Sequence, residues 1–184
     1  EAAQPVASEF AETSMSAADV SLRNSLRQKG FSVQFQLTRA ANDVFQATVQ
    51  ENVGLIKSIA AEHLQDVQGM VMRSVTQGRD LEGLVEDLQK RYGVTKRRAA
   101  FIARDQSNKA TATITRVRQK GLGITKARWL HSSGGKHPRP SHVAASGKTY
   151  DIEKGMYLDG KWVFPGTEPN CRCVSISVIP GFED

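Results

Sequence analysis

Between Val53 and Val117 apolar side chains return every third or fourth residue, and beyond Gly123 that period stops. A chain with such a break folds helices first and something else afterwards. Val53, Ile56, Ala60, Leu64, Val67, Val71 and Val75 make one stripe, which predicts a long helix with a single core-facing side. Phe35, Leu37, Ala41, Val44, Phe45 and Val49 have similar spacing upstream, in a segment that either runs into that helix or breaks near Asn52 and Gly54. Gly78 ends the long helix. Asp80 then suits the N-cap of a short one bearing Leu81, Leu84, Val85 and Leu88, closed by Gly93 after Tyr92. Thr95 caps a third helix, with Ala99, Ile102, Ala103, Gln106, Ala110, Ile114 and Val117 inward, and Gly121 and Gly123 stop it. In the first thirty residues Val20, Leu22 and Leu26 support only a marginal helix that needs a partner.

After Gly123, Gly, Pro, Ser and short β-prone runs take over. Ala127–Leu130 is a strand candidate and Ser132–Ser141 a loop. Lys148–Tyr150 and Lys161–Phe164 are short strands, with Asp159-Gly160 as the hairpin turn before the second. Cys173–Ile179 alternates with period two, so one of its faces is expected to be buried. The expected class is α+β, with an N-terminal bundle of long helices followed by a small loop-rich β region. Its divisions are a marginal helical arm over 1–30, a bundle with a basic third helix over 31–123, and a β-rich part over 124–184.

Charge separates the same segments. The net +6 resolves into −5 over residues 1–89, +13 over 90–139, where Asp105 is the only acid, and −2 over 140–184. The basic segment is the footprint expected for a polyanion, with nucleic acid first in line and Lys96, Arg97, Arg98, Arg104, Lys109, Arg116 and Arg118 as candidate phosphate contacts. A solvated helix face that meets an acidic protein partner would have the same composition. No apolar run approaches the ~18 residues of a membrane span, and no basic-then-apolar start resembles a secretory signal. Hydrophobic residues at 39% and charged residues at 24% argue against wholesale disorder. The chain opens on Glu1 rather than Met, as expected of a processed or trimmed piece of something longer.

The two cysteines, Cys171 and Cys173, are one residue apart. The ring that a disulfide would close is short and strained, so the expected setting is the reducing cytoplasm or a particle assembled there. Three of the four histidines, His131, His137 and His142, fall within twelve residues upstream. Imidazole and thiolate are preferred zinc ligands, and His131, His142, Cys171 and Cys173 are the candidate set for a structural Zn²⁺. The competing account makes Cys173 a small hydrophobe that opens a buried strand, with the histidines serving only as hydrogen-bond donors. Catalytic patterns are weak. Ser132-Ser133-Gly134-Gly135-Lys136 lacks the glycine, hydroxyl residue and strand–loop–helix setting of a phosphate loop, and no His-Glu-x-x-His helix is present. A Cys171–His142 nucleophile pair could be drawn, as in any chain holding both residues. A metal-dependent nuclease using His131 or His142 as general base stays open as the sharper alternative.

The run from Trp129 through His131, Arg139 and His142 to Gly147, closed by Pro165-Gly166 and Asn170-Cys171-Arg172-Cys173, resembles the core motif of the Mu F-like phage head morphogenesis proteins. These are minor capsid proteins of tailed double-stranded-DNA bacteriophages. The strong resemblance covers residues 126–181, and a looser one reaches back to about Asn52. It implies a non-enzymatic virion protein of the head interior or portal vertex, assembled in the host cytoplasm. The implied partners are the portal protein, capsid or scaffold proteins and, for some members, packaged DNA. It also implies that Trp129, Arg139, His142, Gly147, Asn170 and Arg172 form the structural motif. Many members carry an acid early in the loop after the tryptophan strand, where this chain has Ser132-Ser133-Gly134-Gly135-Lys136, so no catalytic residue is carried over. The same region occurs fused to bacterial toxin modules. A toxin-like effector and a DNA-binding packaging module without portal contact therefore stay open.

Overall fold

The computed structural model describes residue 24, residues 38–54, residue 56 and residues 59–179. Apart from residue 24, the expected N-terminal arm lies outside them, as do Phe35 and Leu37. The architecture is α+β. Helices α1 (Arg39–Gly54), α2 (Leu64–Thr76, entered through a single 3-10 turn at Ala61–His63), α3 (Leu81–Tyr92) and α4 (Lys96–Gly121) come first. Then follow β1 (Lys126–Leu130), α5 (Pro140–Ala145), β2 (Thr149–Asp151), β3 (Met156–Leu158), β4 (Lys161–Val163) and β5 (Val174–Val178). Not every helix is long, since α5 has six residues.

The helix punctuation follows local chemistry. The Asp80 carboxylate accepts from the Gly83 N–H at 2.9 Å, satisfying one of the orphan donors at the start of α3. Gly93 closes α3 in the left-handed conformation at φ 60°, and the Thr95 hydroxyl accepts from Arg98 N to open α4. One expectation needs correcting. The stripe from Val53 to Val75 is not one continuous helix, because the chain leaves helical geometry after Gly54 and regains it at Ala61. Both α1 and α2 pack against α4 and against each other, which a single straight helix could not do. Ile56 is buried although it lies in the connection, and Ile59 is buried there in place of the expected Ala60, which is exposed.

The helical core gathers Val67, Met70, Val71 and Val75 from α2, Leu84 and Leu88 from α3, and Ala99, Ile102, Ala103, Ala110 and Ile114 from α4. Each fully buried Val, Leu or Ile contributes about 2 kcal/mol relative to exposure. Val117, expected inward, is only half-buried. A second, smaller core holds Ala127, Trp129, Ala145, Tyr150, Ile152, Val163, Cys171 and Cys173.

The three-stranded antiparallel sheet has the order β2-β1-β5, with Leu130 opposite Val174 and Lys126 opposite Val178 and Asp151. β3 and β4 form a separate hairpin around Asp159-Gly160, whose φ values are 51° and 81°. β3 was not expected from the sequence, and α5 occupies what reads as the end of a loop. β5 does bury one face, but it is the serine face. Ser177 is buried, while Val174 is 47% exposed. The serines turn inward because the fully buried Gln119 of α4 donates to Ser175 Oγ at 3.1 Å and to Ser177 Oγ at 3.0 Å.

At Gly166 the loop leading to β5 comes close to α4. The Gly166 φ is +84°, and a Cβ there would lie 2.9 Å from Ala112 Cβ and 3.3 Å from Cys173 O. Gly78 has φ +90° with open space around it. Gly166→Ala is therefore expected to cost about 3 kcal/mol, combining a left-handed backbone with overpacking, and Gly78→Ala only about 1 kcal/mol. Denaturant unfolding of the two variants measures the difference, and equal losses would mean that the contact with α4 is loose.

Candidate metal centre and basic helix

The turn of α5 and the approach to β5 bring together the residues that carry chemistry. Pro140 occupies the first turn of α5, where its missing N–H is not needed. The Arg139 carbonyl accepts from the N–H groups of His142 and Val143, each at 3.1 Å. This places the His142 ring edge-on to Trp129, with centroids 5.0 Å apart. Asn170 takes a left-handed φ of 54° that turns the chain toward β5. Residues 171–173 then alternate buried, half-buried, buried, so Cys171 and Cys173 share one side. His142 Nδ1 lies 3.4 Å from Cys171 Sγ and 3.7 Å from Cys173 Sγ. The three ligand atoms lie within 4.8 Å of one another, and all three residues are buried.

Both cysteines are free thiols. The Cys173 side chain, donating to Cys171, pulls the Cys171 thiol well below its usual range against the opposing effect of burial. The backbone N–H groups of Cys173 and Gly166 and the neighbouring His142 add to the lowering. Cys173 is pushed up, by its contact with Cys171 and by burial. One thiolate-favouring and one thiol-favouring sulfur share the site. The buried Trp129 Nε1–H has no acceptor in line with it. It lies beside Cys173 and favours that sulfur's ionised form.

His131 does not join this group. β1 ends at Leu130, and His131 Nδ1 accepts from the Ser133 N–H at 3.1 Å, so its ring serves the following loop. His137 is exposed in that loop. The rest of the expected motif ties loops to one another. Arg139 Nη2 donates to Pro169 O at 2.9 Å and Arg172 Nη1 donates to Gly134 O at 2.6 Å. The Gly147 N–H donates to Trp129 O at 2.7 Å, from a φ of 84°.

Sequence reasoning missed the anchor beneath the site. Asp105, the one acid of the basic segment, accepts from Asn170 N at 2.6 Å and pairs with Lys109 Nζ at 2.9 Å, with both side chains about nine-tenths buried. Asn108 Nδ2 donates to Cys171 O at 2.8 Å, while its Oδ1 accepts from Arg79 Nη2 at 2.6 Å. A lone acid within a strongly basic run was the available signal.

The seven cations expected to face phosphate divide accordingly. Lys109 is turned inward and neutralised by Asp105, which removes it from a DNA-contacting set. Arg116 stacks over the Phe164 ring at 4.1 Å, and burial lowers the Arg118 guanidinium to about 10. Lys96 and Arg97 are exposed, and Arg98 and Arg104 half-exposed, near the start of α4. Thr95, Arg97, Arg98 and Phe101 line a shallow depression there.

Residues 65–176 match the family described as Phage Mu protein F like protein. The chain belongs to that family. The match runs from α2 into β5, so it takes in the anchor on α4 as well as the motif. Over 165 residues the chain is 34% identical to a protein of Haemophilus influenzae (strain ATCC 51907 / DSM 11121 / KW20 / Rd) named only as an uncharacterized protein. That alignment covers 87% of this chain and 35% of the relative, so the chain spans about a third of the relative's length. No solved structure matches. Among the described residues, no helix is long and apolar enough to cross a membrane.

The anchor makes a stability prediction. Asp105→Ala leaves Lys109 buried without its partner and Asn170 N without its acceptor, and is expected to cost about 4 kcal/mol. Lys109→Met keeps the Asn170 bond but leaves the Asp105 carboxylate buried without its cation, and is expected to cost about 3 kcal/mol. Thermal unfolding of the two variants tests the order, and a reversed order would remove Asp105 as the anchor.

Proposed function

We propose that this chain acts as a minor capsid protein of a tailed double-stranded-DNA phage or prophage. It works in head assembly at the portal vertex and touches packaged DNA through the N-terminal end of α4. The observation that carries this reading is the family match over residues 65–176. The role is non-enzymatic. The distribution of charge supports a division of labour. Glu82, Glu86 and Asp87 stand exposed on α3, with Glu62 and Asp66 exposed nearby in the chain, and these offer an acidic face to a basic portal, capsid or scaffold surface. Lys96, Arg97, Arg98 and Arg104 offer the opposite charge at the start of a 26-residue helix, whose terminal N–H groups also favour phosphate. Contacts of this kind neutralise the DNA backbone and read no sequence.

Quantitative mass spectrometry of procapsids and DNA-filled heads from the source phage or induced prophage tests the role. A few copies per particle in both, with cross-links to the portal protein, is the expected outcome. Absence from both would overturn it. Turnover of DNA by the purified chain would instead establish the nuclease or toxin-like alternative, and DNA binding without particle association the packaging module.

The DNA contact is tested separately. Reversing Arg97, Arg98 and Arg104 to Glu is expected to weaken duplex binding at least tenfold at low salt. The slope of log affinity against log salt should fall by about one for each phosphate that the variant no longer neutralises. Circular dichroism should be unchanged, because none of the three side chains belongs to the buried core. Equal affinity and an equal slope in the reversed variant would remove phosphate contact by this helix end.

A further inference from the structure

We propose that His142, Cys171 and Cys173 form a three-ligand Zn²⁺ site that locks α5 to the loop leading into β5. The site follows from its own geometry and stands apart from the head-assembly reading. A tetrahedral zinc with bonds of about 2.3 Å to sulfur and about 2.0 Å to nitrogen holds those two ligand atoms roughly 3.6 Å apart. The separations here are 3.4 and 3.7 Å. Neutral thiol–imidazole contacts would satisfy one such approach, but one ring nitrogen has a single lone pair or a single proton and cannot serve two sulfurs equally. A cation between the three atoms satisfies all of them.

The surroundings fit a metal-bound thiolate. Trp129 Nε1–H is a buried donor with no acceptor in line, and it sits beside Cys173. A sulfur carrying thiolate charge is a better acceptor for that donor than a neutral thiol, and donors of this kind orient the ligands of metal sites. The ligands are 3–5% exposed, so the ion would sit away from bulk solvent. Among the described residues no other trio of His, Cys, Asp or Glu meets the same geometric condition. Both sulfurs bind as thiolates, and any thiol proton passes to solvent. The fourth tetrahedral position falls to water or another small ligand, because His131 is committed to Ser133 N.

The site's reach extends to α4. Asn108 holds the Cys171 carbonyl and Asp105 holds Asn170 N, so an ion that fixes Cys171 also fixes the loop against the helix. Zinc would join α5, the loop at 165–173 and α4 in a region whose core has few large apolar side chains.

The test uses the whole chain, reduced and stripped with chelator. Titration with Co²⁺ is expected to produce the near-ultraviolet thiolate-to-metal absorption band, saturating at one equivalent. Zn²⁺ should raise the melting temperature and slow amide exchange in residues 139–147 and 168–174 at least tenfold. Cys171→Ser, Cys173→Ser and His142→Ala should each weaken cobalt binding at least tenfold, while His131→Ala leaves it unchanged. Where a ligand variant fails to fold, the wild-type titration decides alone. The absence of a thiolate band together with a melting temperature indifferent to zinc would overturn the site. Loss of binding in His131→Ala would overturn the three-ligand assignment.

Discussion

The arrangement of the second half of the molecule depends on one carboxylate. Asp105 sits in the middle of α4 with one oxygen accepting from the Asn170 backbone and the other paired with Lys109, both within 3 Å and nearly out of solvent. One turn further, Asn108 spans from Arg79 to the Cys171 carbonyl, and the next turn meets Gly166 through Ala112. These contacts hold the 165–173 loop along a rigid rod. That loop in turn fixes where Cys171 and Cys173 face, and therefore whether His142 can meet them. A buried charge without partners would cost several kcal/mol, so each of these contacts excludes the alternatives in which the loop slides along α4.

The same commitments change what a strongly basic segment means. A net charge of +13 over fifty residues implies a cationic surface only if the side chains are free to face solvent. Here Lys109 neutralises the anchor, Arg116 covers Phe164 and Arg118 is largely desolvated, so part of the charge is structural. Arginine suits that use, since its aliphatic stem and flat guanidinium pack against rings while keeping charge near the surface. The cations left for a polyanion cluster at the start of α4, beside its own positive dipole end. Net charge alone overstated the exposed cationic area of this helix.

How much was legible in the chain follows the range of the interactions involved. Asp80, Gly93 and Thr95 act within four residues of themselves, and their roles as helix punctuation could be read directly. The break after Gly54 could not, because the apolar stripe continues through Ile56 and Ala60, although Ile56 is buried without being helical and Ala60 is exposed. α5 was hidden by the Gly- and Pro-rich run before it, although Pro140 followed by Ser-His-Val-Ala-Ala is a legitimate helix start. The serine face of β5 turns inward for a glutamine more than fifty residues away, which no local pattern announces. The metal candidates show both outcomes. One residue between Cys171 and Cys173 looks too tight for a ligand pair on a turn, yet it puts both thiols on one side of a chain running into a strand. His131 would have continued the buried face of Ala127 and Trp129, had β1 not ended one residue earlier.

The seam between the two cores is polar where a simpler solution would be greasy. Gln119 with Ser175 and Ser177, Asp105 with Asn170, and Asn108 with Cys171 all cross it, and Tyr150 adds its hydroxyl to Ser175 at 2.6 Å. Apolar contacts of equal area would stabilise as much or more, but they tolerate shifts that hydrogen bonds do not. Such a seam therefore contributes more to register than to strength. It sets the cationic start of α4 at a fixed distance and angle from the loop-rich unit at its other end. For a chain proposed to hold a protein shell with one surface and DNA with another, that constancy of geometry is the property an assembly could use.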